Sequence, residues 1–174
     1  MRYFRLHMGR GGVQPGFGDW YTKIGPSVSE ENTYGKLEEK TYWKVKLDNP
    51  ETAFMDVLTN PCFMVSREFF NLIRLYCPGM EFKYIALFDE KNGRIGSYFI
   101  PNLPEVDCLD ESSEFDWTRT RIVKGALCEE KIKGQHIFRL KWEKERCIIA
   151  ELDLVESAFR REVRGMEIEE YVVR

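Results

Sequence analysis

Apolar residues recur at intervals of three and four in two stretches of the chain and at intervals of two in several others, and these two periods mark out its elements. The most legible stretch begins at Cys62. Cys62-Phe63-Met64-Val65 is a short apolar run, Ser66 carries the short oxygen-bearing side chain that caps a helix, and Phe69, Leu72, Ile73 and Tyr76 follow at i, i+3, i+4 and i+7. The spacing predicts a strand, an amphipathic helix, a stop at Pro78-Gly79, and a second strand over Met80 to Phe88. The same order of signals returns near the C-terminus. Cys147-Ile148-Ile149-Ala150 is the apolar run, Leu152, Val155, Phe159 and Val163 the helical stripe, Gly165 the stop, and Met166 to Val173 the closing strand. CFMVSREFFNLIR and CIIAELDLVESAF align in hydrophobic placement with a one-residue insertion. That points to two structurally similar units, residues 61–88 and 146–173; the alternative is that two common patterns recur by accident.

The remaining periodic stretches read as strands. Tyr3, Phe4, Leu6 and Met8 are the apolar members of an opening strand over residues 2–8, and Thr41 to Leu47 sets Thr41, Trp43, Val45 and Leu47 against Tyr42, Lys44 and Lys46. Further extended segments are expected at Ile95 to Leu103, Arg121 to Leu127 and Ile137 to Trp142. Residues 9–35, rich in Gly, Pro and Ser, show no sustained period and read as a long surface excursion. Several strands with few helices predict one α+β domain over residues 1–174. In it, two strand-helix-strand units are joined through a mixed or mostly antiparallel central sheet carrying its helices on one side.

Composition narrows the functional classes. With 43% hydrophobic and 32% charged residues the chain has the make-up of a globular domain, not of a disordered one. A formal net charge of −3 supplies no wide basic field, so nucleic acid is not an expected partner. No run approaches the ~20 apolar residues of a membrane span, and the N-terminus lacks a secretory pattern, so no membrane association is expected and the protein is expected in the cytoplasm. The five cysteines are odd in number, with no Cys-x-x-Cys pair, and fit reduced thiols in such a compartment.

Side chains able to run a catalytic cycle are scarce. The two histidines are His7 and His136. Cys128 and His136 form a thiolate pair only if a turn at Gly134 brings them together, and a turn-facing His beside a buried Cys is the commoner arrangement. GRGG at 9–12 lacks the Gly-Lys-Ser/Thr of a phosphate loop, no Cys or His residues stand at zinc-ligand spacing, and the acidic run from Glu105 to Asp116 lacks the ligand order of a calcium loop. No catalytic residue, cofactor or metal is expected. The acidic run has another use. Its six carboxylates include Asp107, Asp110, Glu111, Glu114 and Asp116, and with Val106, Leu109, Phe115 and Trp117 among them they would present a negative surface with apolar anchors to a basic protein. The alternative is a solvated loop between strands.

Three segments carry a resemblance to a known family. GQHIFRLKWEKERCIIAELDLVESAFRREVRGMEIEEYVV at 134–173, the neighbourhood of Val106-Asp107-Cys108-Leu109-Asp110 with Ser113, and Pro61 to Phe82 with Ser66 opening a helix together resemble a family of bacterial immunity proteins from polymorphic toxin systems, first catalogued as a domain of unknown function. The resemblance covers residues 61–174. It departs at Ala150-Glu151, where a serine would be the more familiar helix cap. It implies a non-catalytic protein that neutralises a cognate toxin by occluding it, and it assigns no binding residues. The rivals are a small enzyme or ligand sensor, favoured by a pocket that gathers His136 with Cys128 or several carboxylates, and an adaptor whose partner is not a toxin.

Overall fold

The computed structural model describes residues 1–9, 16, 17, 33–47, 54–142 and 147–174. Most of the excursion expected over 9–35 lies outside these residues. In chain order the elements are β1 (Tyr3–Met8), β2 (Gly16–Phe17), α1 (Thr33–Lys36), β3 (Lys40–Lys46), β4 (Val57–Leu58), β5 (Met64–Ser66), α2 (Arg67–Tyr76), β6 (Phe82–Asp89), β7 (Arg94–Pro101), β8 (Glu105–Val106), β9 (Glu114–Phe115), β10 (Ile122–Lys124), β11 (Ala126–Leu127), α3 (Glu129–Ile132), β12 (Ile137–Leu140), β13 (Cys147–Glu151), α4 (Leu152–Arg160) and β14 (Met166–Val173). The fold is α+β with mixed sheets and few helices, as the periodicity predicts. The single central sheet of the sequence reading is corrected: the strands divide between two six-stranded sheets, β2-β3-β6-β7-β5-β4 and β11-β14-β1-β13-β12-β8, with β9 and β10 as a separate pair.

Both sheets order their strand directions alike. The strand entering a helix and the strand leaving it lie on either side of a third strand that runs antiparallel to both: β7 between β5 and β6, and β1 between β13 and β14. Outward from these, β4 and β12 pair antiparallel with β5 and β13, while β3 and β11 pair parallel with β6 and β14. The central strand of the second sheet is thus the first strand of the chain.

The two long helices, α2 and α4, lie between the sheets. Phe69, Leu72 and Ile73 of α2 and Leu154, Val155 and Ala158 of α4 share one core with Val57, Val65 and Phe99 from the first sheet and Phe4, Leu6, Ile148 and Ala150 from the second. The opposite faces are covered too, Trp43, Ile85, Leu87 and Tyr98 lining a second core and Tyr3, Phe138, Cys147 and Ile149 a third. Burial on both faces explains why Cys147 to Ala150 is a continuous apolar run and does not alternate. Lys83 of β6, itself buried, directs its ammonium to the carbonyls of Tyr34 (2.8 Å) and Leu37 beside the one-turn α1, where the Tyr34 carbonyl also accepts the Leu37 N–H (3.2 Å).

Capping distinguishes the two long helices. Ser66 accepts the Phe69 N–H at 3.4 Å, whereas Glu151 at the same position of α4 makes no side-chain cap. The apolar stripe read from Leu152 through Phe159 to Val163 also needs correcting. Phe159, 46% exposed, is the member that fails; Val155 and Val163 are buried in the core and Leu152 packs against it, joined there by Leu154 and Ala158, and helix α4 itself ends at Arg160. The terminator is Glu162, not Gly165: its φ is 56°, its N–H donates to the Phe159 carbonyl (3.0 Å), and the N–H of Val163 donates to the Ala158 carbonyl (3.1 Å). This is a Schellman turn with a non-glycine residue in the left-handed position. Glu162→Gly is therefore expected to raise stability by about 1 kcal/mol, seen as a thermal midpoint ~2–4 °C higher. No gain would show that another contact of Glu162 offsets the strain.

Candidate functional site

The acidic segment lies on the outer face of the second sheet. Cys108, Ile122, Leu127 and Ile132 are buried there against Phe138, Cys147 and Ile149, with Val106, Leu109, Phe115 and Trp142 packed against them. Of the apolar residues expected to anchor a partner, Val106, Leu109 and Phe115 are thus used by the protein's own core. Trp117, 95% exposed, is the one of the four left outside. The segment is pinned through β11: Asp110 N–H donates to the Ala126 carbonyl (2.9 Å), Ser113 Oγ donates to the same carbonyl (3.1 Å), and Ser113 Oγ accepts the Ala126 N–H (3.0 Å). The strand expected over Arg121 to Leu127 is broken at Gly125, which sends β10 to the hairpin with β9 and β11 to the edge of the second sheet.

The six carboxylates have different fates. Glu105 pairs with Arg139 (2.6 Å) and Glu114 with Lys124 across the β9–β10 hairpin (3.6 Å). Asp116 holds the hairpin turn, its Oδ1 accepting the N–H groups of Thr120 (2.7 Å) and Arg121 (2.9 Å) and its Oδ2 the hydroxyls of Thr118 and Thr120. Asp110 accepts the backbone N–H of Ser112 (2.9 Å) and its hydroxyl, and both hold its carboxyl below the usual range. Asp107 and Glu111 have no hydrogen-bond or ion-pair partner among the described residues.

A cleft of about 530 Å³ opens between these groups, lined by Asp107, Leu109, Asp110, Glu111, Phe115, Arg119, Lys141 and Trp142. Its wall is the stacked pair Phe115 and Trp142, with centroids 4.9 Å apart, and the Arg119 guanidinium lies 5.2 Å from the Phe115 centroid. Of the expected partner-binding residues, the structure brings Asp107, Asp110 and Glu111 to the cleft; Glu114, Asp116 and Trp117 belong to the adjoining hairpin. Arg119, Lys141 and Trp142 were not foreseen. The strand expected to reach Trp142 ends at Leu140, and the stacking of Trp142 on Phe115 is a pairing of distant residues that no local period records.

The turn bearing Trp117 is set by one carboxylate. The Thr118 hydroxyl, and next the Arg121 N–H, hold the Asp116 carboxyl down at about 2. Because this folded value lies below the ~3.9 of an unfolded aspartate, the stabilisation is present above pH ~4 and is lost as pH falls through about 2. The amide resonance of Arg121 is expected to titrate with a midpoint near 2 and not to titrate in Asp116→Ala. A midpoint near 4 would show that the carboxylate does not hold the turn.

The Cys128–His136 pair does not form. His136 Nδ1 bonds Glu151 Oε2 at 2.6 Å and its ring meets Tyr76 edge-on at 5.6 Å. Cys128 opens α3 with its N–H on the Cys108 carbonyl (2.9 Å), and no hydrogen bond joins it to His136. Burial pushes the neighbouring Cys108 thiol up to about 12, far from a reactive thiolate. Glu151 thus serves His136 instead of capping α4, which accounts for the departure from serine at this cap. Tyr76 adds a link between the helices, its hydroxyl donating to the Asp153 carbonyl (2.9 Å) and bonding Ser157 Oγ (2.7 Å). Among the described residues no three His, Cys, Asp or Glu side chains are grouped to hold a metal, and no helix is long and apolar enough to cross a membrane.

No curated protein matches the chain. A family model, described as the Immunity protein family (Imm11), matches residues 21–173. The match starts well before Pro61, where the resemblance in the sequence begins, and takes in elements of both sheets. With this coverage the chain belongs to the Imm11 immunity protein family.

Proposed function

We propose that the chain neutralises a cognate toxin in the cytoplasm of the bacterium that makes both, as a partner in a polymorphic toxin system. It does so by covering a functional surface of the toxin, without a cofactor and without turnover. Family membership supports an immunity role. The observation that carries the rest is the arrangement of the acidic segment: Val106, Leu109 and Phe115 pack against the protein's own core, and Asp107, Asp110 and Glu111 rim a cleft that Leu109 and Phe115 also line, beside a hairpin that carries Glu114, Asp116 and the exposed Trp117. A negative, aromatic-bearing surface suits a basic partner, through an interface of roughly 1,200–2,000 Å².

The test is stoichiometric. The toxin encoded beside this gene is titrated with the purified chain, and toxin activity is followed. An occluding protein abolishes activity near one copy per toxin and forms an isolable complex. Protection far below one copy per toxin would favour the enzyme rival, and a complex that leaves toxin activity intact would favour the adaptor.

A further inference from the structure

The sorting of the charges singles out one feature of the acidic surface. Glu105 and Glu114 are neutralised by Arg139 and Lys124, and Asp116 is engaged by its own turn. The carboxylates of Asp107 and Glu111 are without partners among the described residues, and they stand with Asp110 around a cleft whose wall is the Phe115–Trp142 stack. Among the described residues three carboxylates line this cleft against the two cations Arg119 and Lys141, and the Arg119 guanidinium is already placed against Phe115. The result is a concave site, apolar at its wall and negative at its rim. Such a site accepts a long side chain with an apolar stem and a cationic head, the stem against the rings and the head between the carboxylates.

We propose that this cleft is the socket for a single arginine side chain projecting from the toxin, with Trp117 on the neighbouring rigid turn burying against the toxin surface beside it. The inference rests on the toxin-binding reading and deepens it. Arginine is favoured over lysine because its planar head can stack on an indole and donate hydrogen bonds to two carboxylates at once. The volume of the cleft, about 530 Å³, is that of a site for one small group and too small for a whole helix.

Two measurements on the full chain separate the inference from the reading beneath it. In the first, N-acetylargininamide is titrated and followed by NMR. The Trp142 indole N–H and the amides of residues 107–111 are expected to shift with a dissociation constant in the millimolar range, weakened about tenfold in Asp107→Asn/Glu111→Gln. The absence of a saturable shift, an equal response to N-acetylnorleucinamide, or an unchanged constant in the neutralised variant would overturn the socket. In the second, the toxin encoded beside the gene is bound to wild type and to Asp107→Lys/Glu111→Lys. These side chains have no partner to lose among the described residues, so the variant should keep the wild-type melting temperature while binding falls by about a hundredfold or more and association slows. Trp117→Ala should cost about tenfold or more. A wild-type chain that does not bind the toxin refutes the toxin-binding reading and leaves the socket to be decided by the first measurement; undiminished binding in the lysine variant overturns the socket alone.

Discussion

Gly125→Ala is expected to destabilise the protein by about 3 kcal/mol or more and to loosen the acidic segment along with the fold. A Cβ at this position would lie 2.0, 2.2 and 2.3 Å from Cε2, Cδ2 and Cζ of Tyr171. Those atoms belong to the body of a ring that is 1% exposed and packed with Tyr3, Phe138 and Ile149, so no flexible end can swing aside. The glycine cannot retreat either, because its carbonyl accepts the Val172 N–H at 3.0 Å. Relief would require β11 to slide along β14, which breaks the three Ala126 hydrogen bonds that pin Asp110 and Ser113. The denaturant midpoint should fall at an unchanged m-value, and affinity for the toxin should fall with it. Tyr171→Val supplies the control: once the ring is gone, adding Gly125→Ala should cost little or stabilise slightly. An undiminished penalty in that background would show that the clash is not its cause.

What could be read from the residues alone follows from the range of the interactions involved. The two strand-helix-strand phrases opening at Cys62 and Cys147 were legible because a cap, a 3.6-residue stripe and an apolar run are local signals, and Ser66 and the Phe69-Leu72-Ile73 face are where the spacing puts them. Helix α4 was misread at its end because glycine was sought in the left-handed position and Glu162 occupies it. The segment 121–127 was misread as one strand because its halves pair with partners far apart in the chain, Ile122 with Phe115 and Ala126 with Val172. The acidic segment was visible as a charge run. Which of its carboxylates were available was not, since Arg139 and Lys124 are brought to Glu105 and Glu114 only by strand pairing. The Asp116 turn carried a signal that went unused: an aspartate followed by threonines two and four residues later is a side-chain-to-backbone turn pattern.

The likeness of the two sheets also bears on the site. In each, the strands on either side of a helix flank a third strand antiparallel to both. The two sheets differ in what covers their outer faces. The first sheet is covered there by residues around α1, the second by the acidic segment and its hairpin. The candidate interface is thus the part of the second half that has no counterpart in the first, and a surface not needed to repeat the scaffold is free to vary with a partner.

Gly165→Ala is expected to cost roughly 2–4 kcal/mol and to act where the two sheets are joined. The residue has φ 78°, and a Cβ added to it would stand 2.7 Å from Cβ and 3.0 Å from Cγ of Met55. Met55 Cβ is fixed to the backbone, so the contact is not relieved by a rotamer change. Around it, the Gly165 carbonyl accepts the Gly9 N–H (3.0 Å), the Arg164 carbonyl accepts the Asp56 N–H (3.0 Å), and Asp56 Oδ2 accepts the Arg164 N–H (2.7 Å). The Asp56 carbonyl in turn accepts the Ser66 N–H (2.8 Å) at the head of α2. A displaced Gly165 should therefore free the Asp56 amide to exchange by local opening, at a lower free energy than global unfolding. Gly165→Asn separates the two causes, because asparagine tolerates the left-handed backbone but still carries a Cβ. If the Met55 contact dominates, the asparagine variant should be nearly as unstable as the alanine variant; recovery of most of the lost stability would assign the cost to the backbone instead.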